Sequence, residues 1–96
     1  MEIVLMTEKP LFPVGRVVMT LGAQQVISEP VAALLLTRHM SGDYGDICSE
    51  DVDLNNARIN TGGRILSSYD VSETESVWVV TEKNRSITTI LLPSEY

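Results

Sequence analysis

Val77-Trp78-Val79-Val80-Thr81-Glu82-Lys83-Asn84-Arg85-Ser86-Ile87-Thr88-Thr89-Ile90-Leu91-Leu92 holds two runs rich in β-branched and apolar residues, joined by a short polar turn. Such residues favour extended backbone. A three-residue connection, Lys83-Asn84-Arg85, is short enough for a hairpin. The two runs therefore read as antiparallel strands over 77–82 and 86–92, with Pro93 ending the second. Just upstream, residues 64–71 put Ile65, Ser67, Tyr69 and Val71 on one face by alternation. Residues 72–76 are a second short loop, so the C-terminal third is a three-stranded antiparallel meander.

Working back from the meander, the pattern changes period. Gly62-Gly63 closes a segment that begins at Ser49, a good N-cap, with Glu50 and Asp51 at the positive pole of a helix over 50–60. Pro30 suits the first turn of an earlier helix, where its missing N–H is not needed. Ser28 and Glu29 can cap that helix. Val31, Leu34, Leu35 and Arg38 fall at i, i+3, i+4 and i+7 on it, and it should stop before Gly42. Residues 22–27 suggest a short helical turn, and 15–20 a strand. Residues 1–6 allow another short strand. Strands and helices are segregated along the chain. The expected fold is α+β: an antiparallel sheet, made of an N-terminal strand and the meander, with two or three helices on one face. One edge strand is expected, 15–20 or 86–92, and an exposed edge leaves a homodimer open.

The chain has 96 residues, room for one domain over 1–96. Thirteen acidic residues against seven basic ones leave a net charge of −6. Lys9, Arg16, Arg38, Arg58, Arg64, Lys83 and Arg85 form no stripe, so direct nucleic-acid binding is not expected. An acidic surface that meets a protein partner is. A lone cysteine, Cys48, excludes an intrachain disulfide and suits a reducing cytoplasm. The longest apolar run, 31–36, is far short of the ~20 residues a membrane span needs.

Chemically capable groups are densest in Arg38-His39-Met40-Ser41-Gly42-Asp43-Tyr44-Gly45-Asp46, between the two long helices. His39 with Asp43 or Asp46 has the makings of an oriented general base, and Ser41 or Cys48 of a nucleophile. The plainer reading is a stapled loop. Arg38 and His39 sit at the negative pole of the helix, a carboxylate accepts backbone N–H bonds, and the two glycines supply positive φ. One His and one Cys do not make a zinc set, and the acids do not follow a calcium loop, so no metal is expected. Nor does any motif imply a cofactor. If the Lys83–Arg85 turn folds over the 38–46 bend, Glu82 can pair with Arg38, and Arg85 with Asp43 or Asp46. The candidate binding residues are Arg38, His39, Asp43, Tyr44, Asp46, Asn55, Glu82, Arg85 and Thr88.

Several of these residues also carry a resemblance. Leu11-Phe12-Pro13-Val14-Gly15, the 38–46 bend, Asn55, and Trp78-Val79-Val80-Thr81-Glu82 followed by Arg85-Ser86, Thr88-Thr89, Leu91-Leu92-Pro93 and Tyr96 resemble an uncharacterised small-protein family of bacterial plasmids, phages and other mobile elements. Tyr44 and Asn84 depart from the family pattern, which commonly has Trp and Asp there. Some members carry the label of a type I restriction modification subunit. This chain lacks the glycine-rich cofactor loop and the Asn-Pro-Pro-aromatic motif such a methyltransferase requires. The family has no established function; with the acidic surface, the expectation is a small non-enzymatic interaction protein of a mobile element, an accessory or anti-defence factor that binds a host or element protein. The alternative is a small enzyme or ligand-binding domain with its site at the 38–46 bend.

Overall fold

A computed structural model describes residues 10–96. The expected strand at residues 1–6 lies outside the described residues. The elements run β1 (Arg16–Met19), α1 (Leu21–Val26), α2 (Glu29–Met40), α3 (Ser49–Thr61), β2 (Ile65–Asp70), β3 (Ser76–Thr81) and β4 (Ile87–Leu91), then a 3-10 turn at Pro93–Glu95. The caps explain the helix starts. Thr20 accepts a hydrogen bond from the Ala23 N–H, and Ser28 accepts one from Val31. α3 begins one residue earlier than expected, at Ser49 itself, because Cys48 and not Ser49 occupies the N-cap position, without a side-chain hydrogen bond.

β2, β3 and β4 form the expected antiparallel meander. The sheet as a whole is mixed, however, in the order β1-β4-β3-β2. β1 runs parallel to β4, with Val17 beside Thr88 and Met19 beside Ile90. The three helices lie between β1 and β2 in sequence and carry the chain across the molecule. β1 therefore joins the sheet beside the last strand, in the same direction, and a purely antiparallel sheet is excluded. β1 is an edge strand, and β4 is interior.

Register puts Ile65, Ser67, Tyr69, Val77, Val79, Thr81, Thr88 and Ile90 on one face. Ala23, Ile27, Ala32 and Leu35 of the first two helices pack with Tyr69, Val77, Val79 and Ile90 in the main core. Phe12, Tyr44 and Ile65 form a smaller core with Val52 and Ile59 of α3. α2 is rotated relative to its expected stripe. It buries Ala32, Leu35 and His39, while Val31 and Leu34 are 38% and 55% exposed. The rotation exchanges Arg38 for His39 in the interior. A neutral ring with two hydrogen-bond partners can be buried at little cost, whereas an unpaired guanidinium cannot. On the opposite face the Tyr96 ring meets Trp78 edge-on, 5.3 Å between centroids.

Candidate functional site

The bend after α2 is closed by its own side chains. Arg38 Nε and Nη2 donate to the two carboxylate oxygens of Asp43 at 2.7 and 3.2 Å. The guanidinium also lies 4.6 Å above the Tyr69 ring. Tyr69 donates its hydroxyl proton to the Asp43 carbonyl at 2.6 Å. Asp43 Oδ1 accepts the Gly45 N–H at 3.3 Å. The hydrogen bond from Arg38 holds the Asp43 carboxyl below the usual carboxylate range, and burial pushes the Tyr69 hydroxyl up. Gly45 has φ +73°, and a Cβ there would collide with the Ser68 carbonyl, so the bend can lie against β2 only with glycine at this position.

His39, one residue further along α2, is turned about 100° from Arg38 into the interior and is fully buried. Its Nδ1 lies 2.5 Å from Ser67 Oγ and its Nε2 2.9 Å from Thr81 Oγ1. Thr81 Oγ1 is 2.7 Å from Thr88 Oγ1, and Thr88 donates to the Val14 carbonyl at 2.8 Å. Direction along this chain is set from its far end. A carbonyl can only accept, so the single Thr88 proton goes to Val14. The Thr81 proton must then go to Thr88, and His39 Nε2 must donate to Thr81. Nδ1 is left to accept from Ser67. His39 is thus the neutral Nε2–H tautomer, and burial lowers its pKa to about 3. Phe12 meets the imidazole edge-on at 5.2 Å and Tyr44 at 6.3 Å, which shuts the ring off from water.

The remaining candidates do not join this group. Arg85 pairs with neither Asp43 nor Asp46. It adopts φ +60° and donates to the carbonyls of Gly63, Glu82 and Arg58 at 2.6, 3.1 and 2.6 Å. The α3 C-terminus carries a negative partial charge, and its Arg58 carbonyl together with the nearby Gly63 and Glu82 carbonyls outcompetes a distant surface carboxylate for the guanidinium. Glu82 lies 3.4 Å from Arg64 rather than against Arg38. Asp46 meets Asp70, and the hydrogen bond between the two carboxyls raises the Asp46 pKa. Asp70 is held down by the Ser76 hydroxyl and by Asp46. Tyr44 is buried and donates to Asn56 Oδ1 at 3.0 Å. Asn55 is turned to the outer edge of β2, where its amide donates to the Leu66 carbonyl at 2.9 Å and its oxygen accepts the Leu66 N–H at 3.3 Å. Thr88 belongs to the His39 chain.

Ser67, Thr81 and the Val14 carbonyl complete the arrangement, and none of them is among the candidate binding residues, although Ser67 falls on the alternating face of residues 64–71. The same alternation carried into β3 turns Thr81 inward beside Val77 and Val79, and that is the signal that joins Thr81 to Ser67. Among the described residues no three His, Cys, Asp or Glu side chains gather as a metal set. A cleft of about 110 Å³ lies between α3 and β2, lined by Ile47, Asp51, Leu54, Asn55, Arg58 and Leu66. An open groove of about 320 Å³ lies between Met19, Gln24, Ile27, Ser28 and Glu29. Neither is lined by His39, Asp43 or Arg85. No helix among the described residues is long and apolar enough to cross a membrane. None of the protein families, curated proteins or solved structures compared with the chain matches it.

Proposed function

We propose that this chain is a small non-enzymatic interaction protein of a mobile element, an accessory or anti-defence factor that engages a basic surface on a host protein. One observation supports this reading above the others. Asp43, Asp46, Glu50, Asp51 and Asp53 crowd eleven successive positions on an exposed bend and helix start. Of these five, only Asp43 has an ion-pair partner among the described residues. A patch of one charge sign attracts an oppositely charged partner and raises its association rate. The competing reading, an enzyme or ligand site at the bend, requires His39, Asp43 and Arg85 to converge on a cavity. These groups instead bind other parts of the chain.

Affinity capture from a bacterial lysate tests the proposal, with the wild type set against a variant carrying Asp46→Asn, Glu50→Gln, Asp51→Asn and Asp53→Asn. Circular dichroism confirms that both are folded. The expected result is a basic protein retained by the wild type at physiological salt and lost by the variant. Retention of the same proteins by both forms refutes the acidic face. A thermal shift with a small metabolite, abolished by Asp43→Ala, refutes the non-enzymatic reading.

A further inference from the structure

The two edges of the sheet are finished differently. At β2 the middle of the edge is covered, from the Arg64 carbonyl through Leu66 to Ser68, and among the described residues only the Arg64 N–H and the Asp70 groups at the two ends are left open. Arg58 Nη1 donates to the Arg64 carbonyl at 3.1 Å, and the Asn55 amide takes both groups of Leu66. Ser68 donates to the Tyr44 carbonyl at 3.0 Å and accepts from the Asp46 N–H at 2.7 Å. At β1, Arg16 and Thr20 donate inward to Ser86 and Ile90, which fixes the alternation. Val17 and Met19 therefore point their backbone groups outward. The Met19 carbonyl is taken by Gln24 Nε2 at 3.0 Å. Val17 N–H, Val17 C=O and Met19 N–H have no partner among the described residues.

We infer that the outer edge of β1 pairs with β1 of a second copy of this chain, antiparallel about a two-fold axis through Val17, to give one continuous eight-stranded sheet. Three observations select a second copy. Val17 offers one outward donor and one outward acceptor, so Val17 against Val17 of the partner exchanges two hydrogen bonds and satisfies both. The same register puts the two Val17 side chains side by side on the helix-bearing face, where Val17 is otherwise 42% exposed. It also places Arg16 opposite the partner's Val18, so that its methylene stem covers an apolar side chain while its charge stays in water. The third observation is the β2 edge, which is closed through its middle at Leu66 and Ser68 and open only at its ends. A sheet with two open edges pairs head to tail and grows into a filament. One whose second edge is blocked through its middle pairs through the open edge with its like, and the assembly closes at two. The short strand and the charge of −6 on each chain both weaken the contact, so the dimer forms at high concentration and gains from added salt.

Sedimentation equilibrium on the full chain reads the result. The expected mass rises with concentration toward twice the 10.6 kDa of one chain, and the shift is larger in high salt. Val17→Pro removes an N–H that the internal ladder does not use, so the variant should keep its circular dichroism spectrum and sediment as a monomer. Asn55→Ala uncovers the second edge and should add species larger than the dimer. Hydrogen exchange of the Val17 and Met19 amides should slow with concentration. A wild type that stays monomeric throughout overturns the inference, as does a dimer that survives Val17→Pro. Concentration-independent protection of the Val17 amide also overturns it, because the edge would then be covered from within the same chain, residues 1–9 included. A free monomer that pairs with an extended segment of another protein overturns it as well.

Discussion

Arg38 and His39 are neighbours on one turn of α2, yet they belong to two regions with opposite physics. The Arg38–Asp43 clamp is exposed, charged and local, its partners five residues apart. The His39 chain is sealed and neutral, and it ties α2 to β2, β3, β4 and the segment before β1. Successive residues on a helix differ by about 100° in direction. That angle decides which of two adjacent polar groups enters the core. The lesson is one of cost. A buried polar chain is stable when every member is satisfied, and no buried side-chain donor or acceptor among the described residues lacks a partner. A surface clamp gives up little when broken, because water replaces each contact.

The sharpest way to break the comparison is His39→Ala. It leaves a cavity and strips Ser67 and Thr81 of their partner, so unfolding free energy should fall by about 4 kcal/mol. That is a large share of the roughly 5–15 kcal/mol available to a domain of this size. Urea titration followed by Trp78 fluorescence measures it; a loss below about 1 kcal/mol would show that the polar chain is not a structural node. Arg85→Ala comes next, at about 3 kcal/mol, since three carbonyls lose a charged donor. Arg85→Lys should recover less than half of this, because an ammonium cannot span the same fork. Full rescue by Lys would show that charge at the α3 terminus matters and geometry does not.

The His39 region also predicts a pH dependence that the clamp cannot produce near neutrality. The folded pKa is about 3, below the ordinary value of 6.5, so the unfolded chain binds the proton first. Stability is therefore fully present above pH 6.5 and lost as pH falls toward 3, at about 1.4 kcal/mol per unit. Asp43, with its depressed pKa, adds a loss in the same direction that begins only in the carboxylate range. Between pH 6.5 and 5 the slope should belong mainly to His39, opposed only by Asp46 with its raised pKa, and His39→Gln should flatten it. The chain has a single histidine, so its ring ¹⁵N shifts can be assigned without ambiguity. They should report a neutral Nε2–H ring at pH 7. An Nδ1–H ring would reverse the direction of the whole hydrogen-bond chain.

Much of the fold was legible because local signals agreed with the packing. Pro30, Ser28 and Gly42 bracket α2, and two β-branched runs around a short turn give β3 and β4. The parallel placement of β1 was not legible, since nothing local states which side of a meander a distant strand will join. The phase of α2 was missed for a related reason. Val31, Leu34 and Leu35 make a good apolar stripe, but the observed phase depends on Ser67 and Thr81, distant in sequence and unremarkable by themselves. For the site, a bend stapled by a carboxylate that accepts a backbone N–H was legible and is found at Asp43 and Gly45, but the partner of Arg38 was expected to be Glu82 and is Asp43. The fate of Arg85 did not, because it depends on where the α3 carbonyls end up. Asn55, noticed as part of a resemblance, has its role in covering an edge that the sequence could not reveal.

Arg38→Ala carries the smallest expected effect and tests the surface half of the comparison directly. The pair is about half exposed on both sides, with 41% and 53% of the two side chains accessible, so its Coulomb energy is largely screened. Stacking on Tyr69 contributes at the lower end of the cation–π range. Together these give a loss below about 1 kcal/mol, shrinking further in high salt as screening removes the ionic part. The bend itself should hold its shape. Tyr69 still donates to the Asp43 carbonyl, and Ser68 still bridges Tyr44 and Asp46 through the backbone. Amide exchange at Gly45, Asp46 and Ser68 separates the two components. If those amides stay protected while stability drops slightly, the clamp fixes side chains and the backbone bridge fixes the loop. If protection collapses with Arg38, the exposed ion pair is what holds the bend against β2, and the division between a sealed structural interior and a dispensable surface clamp fails at that point.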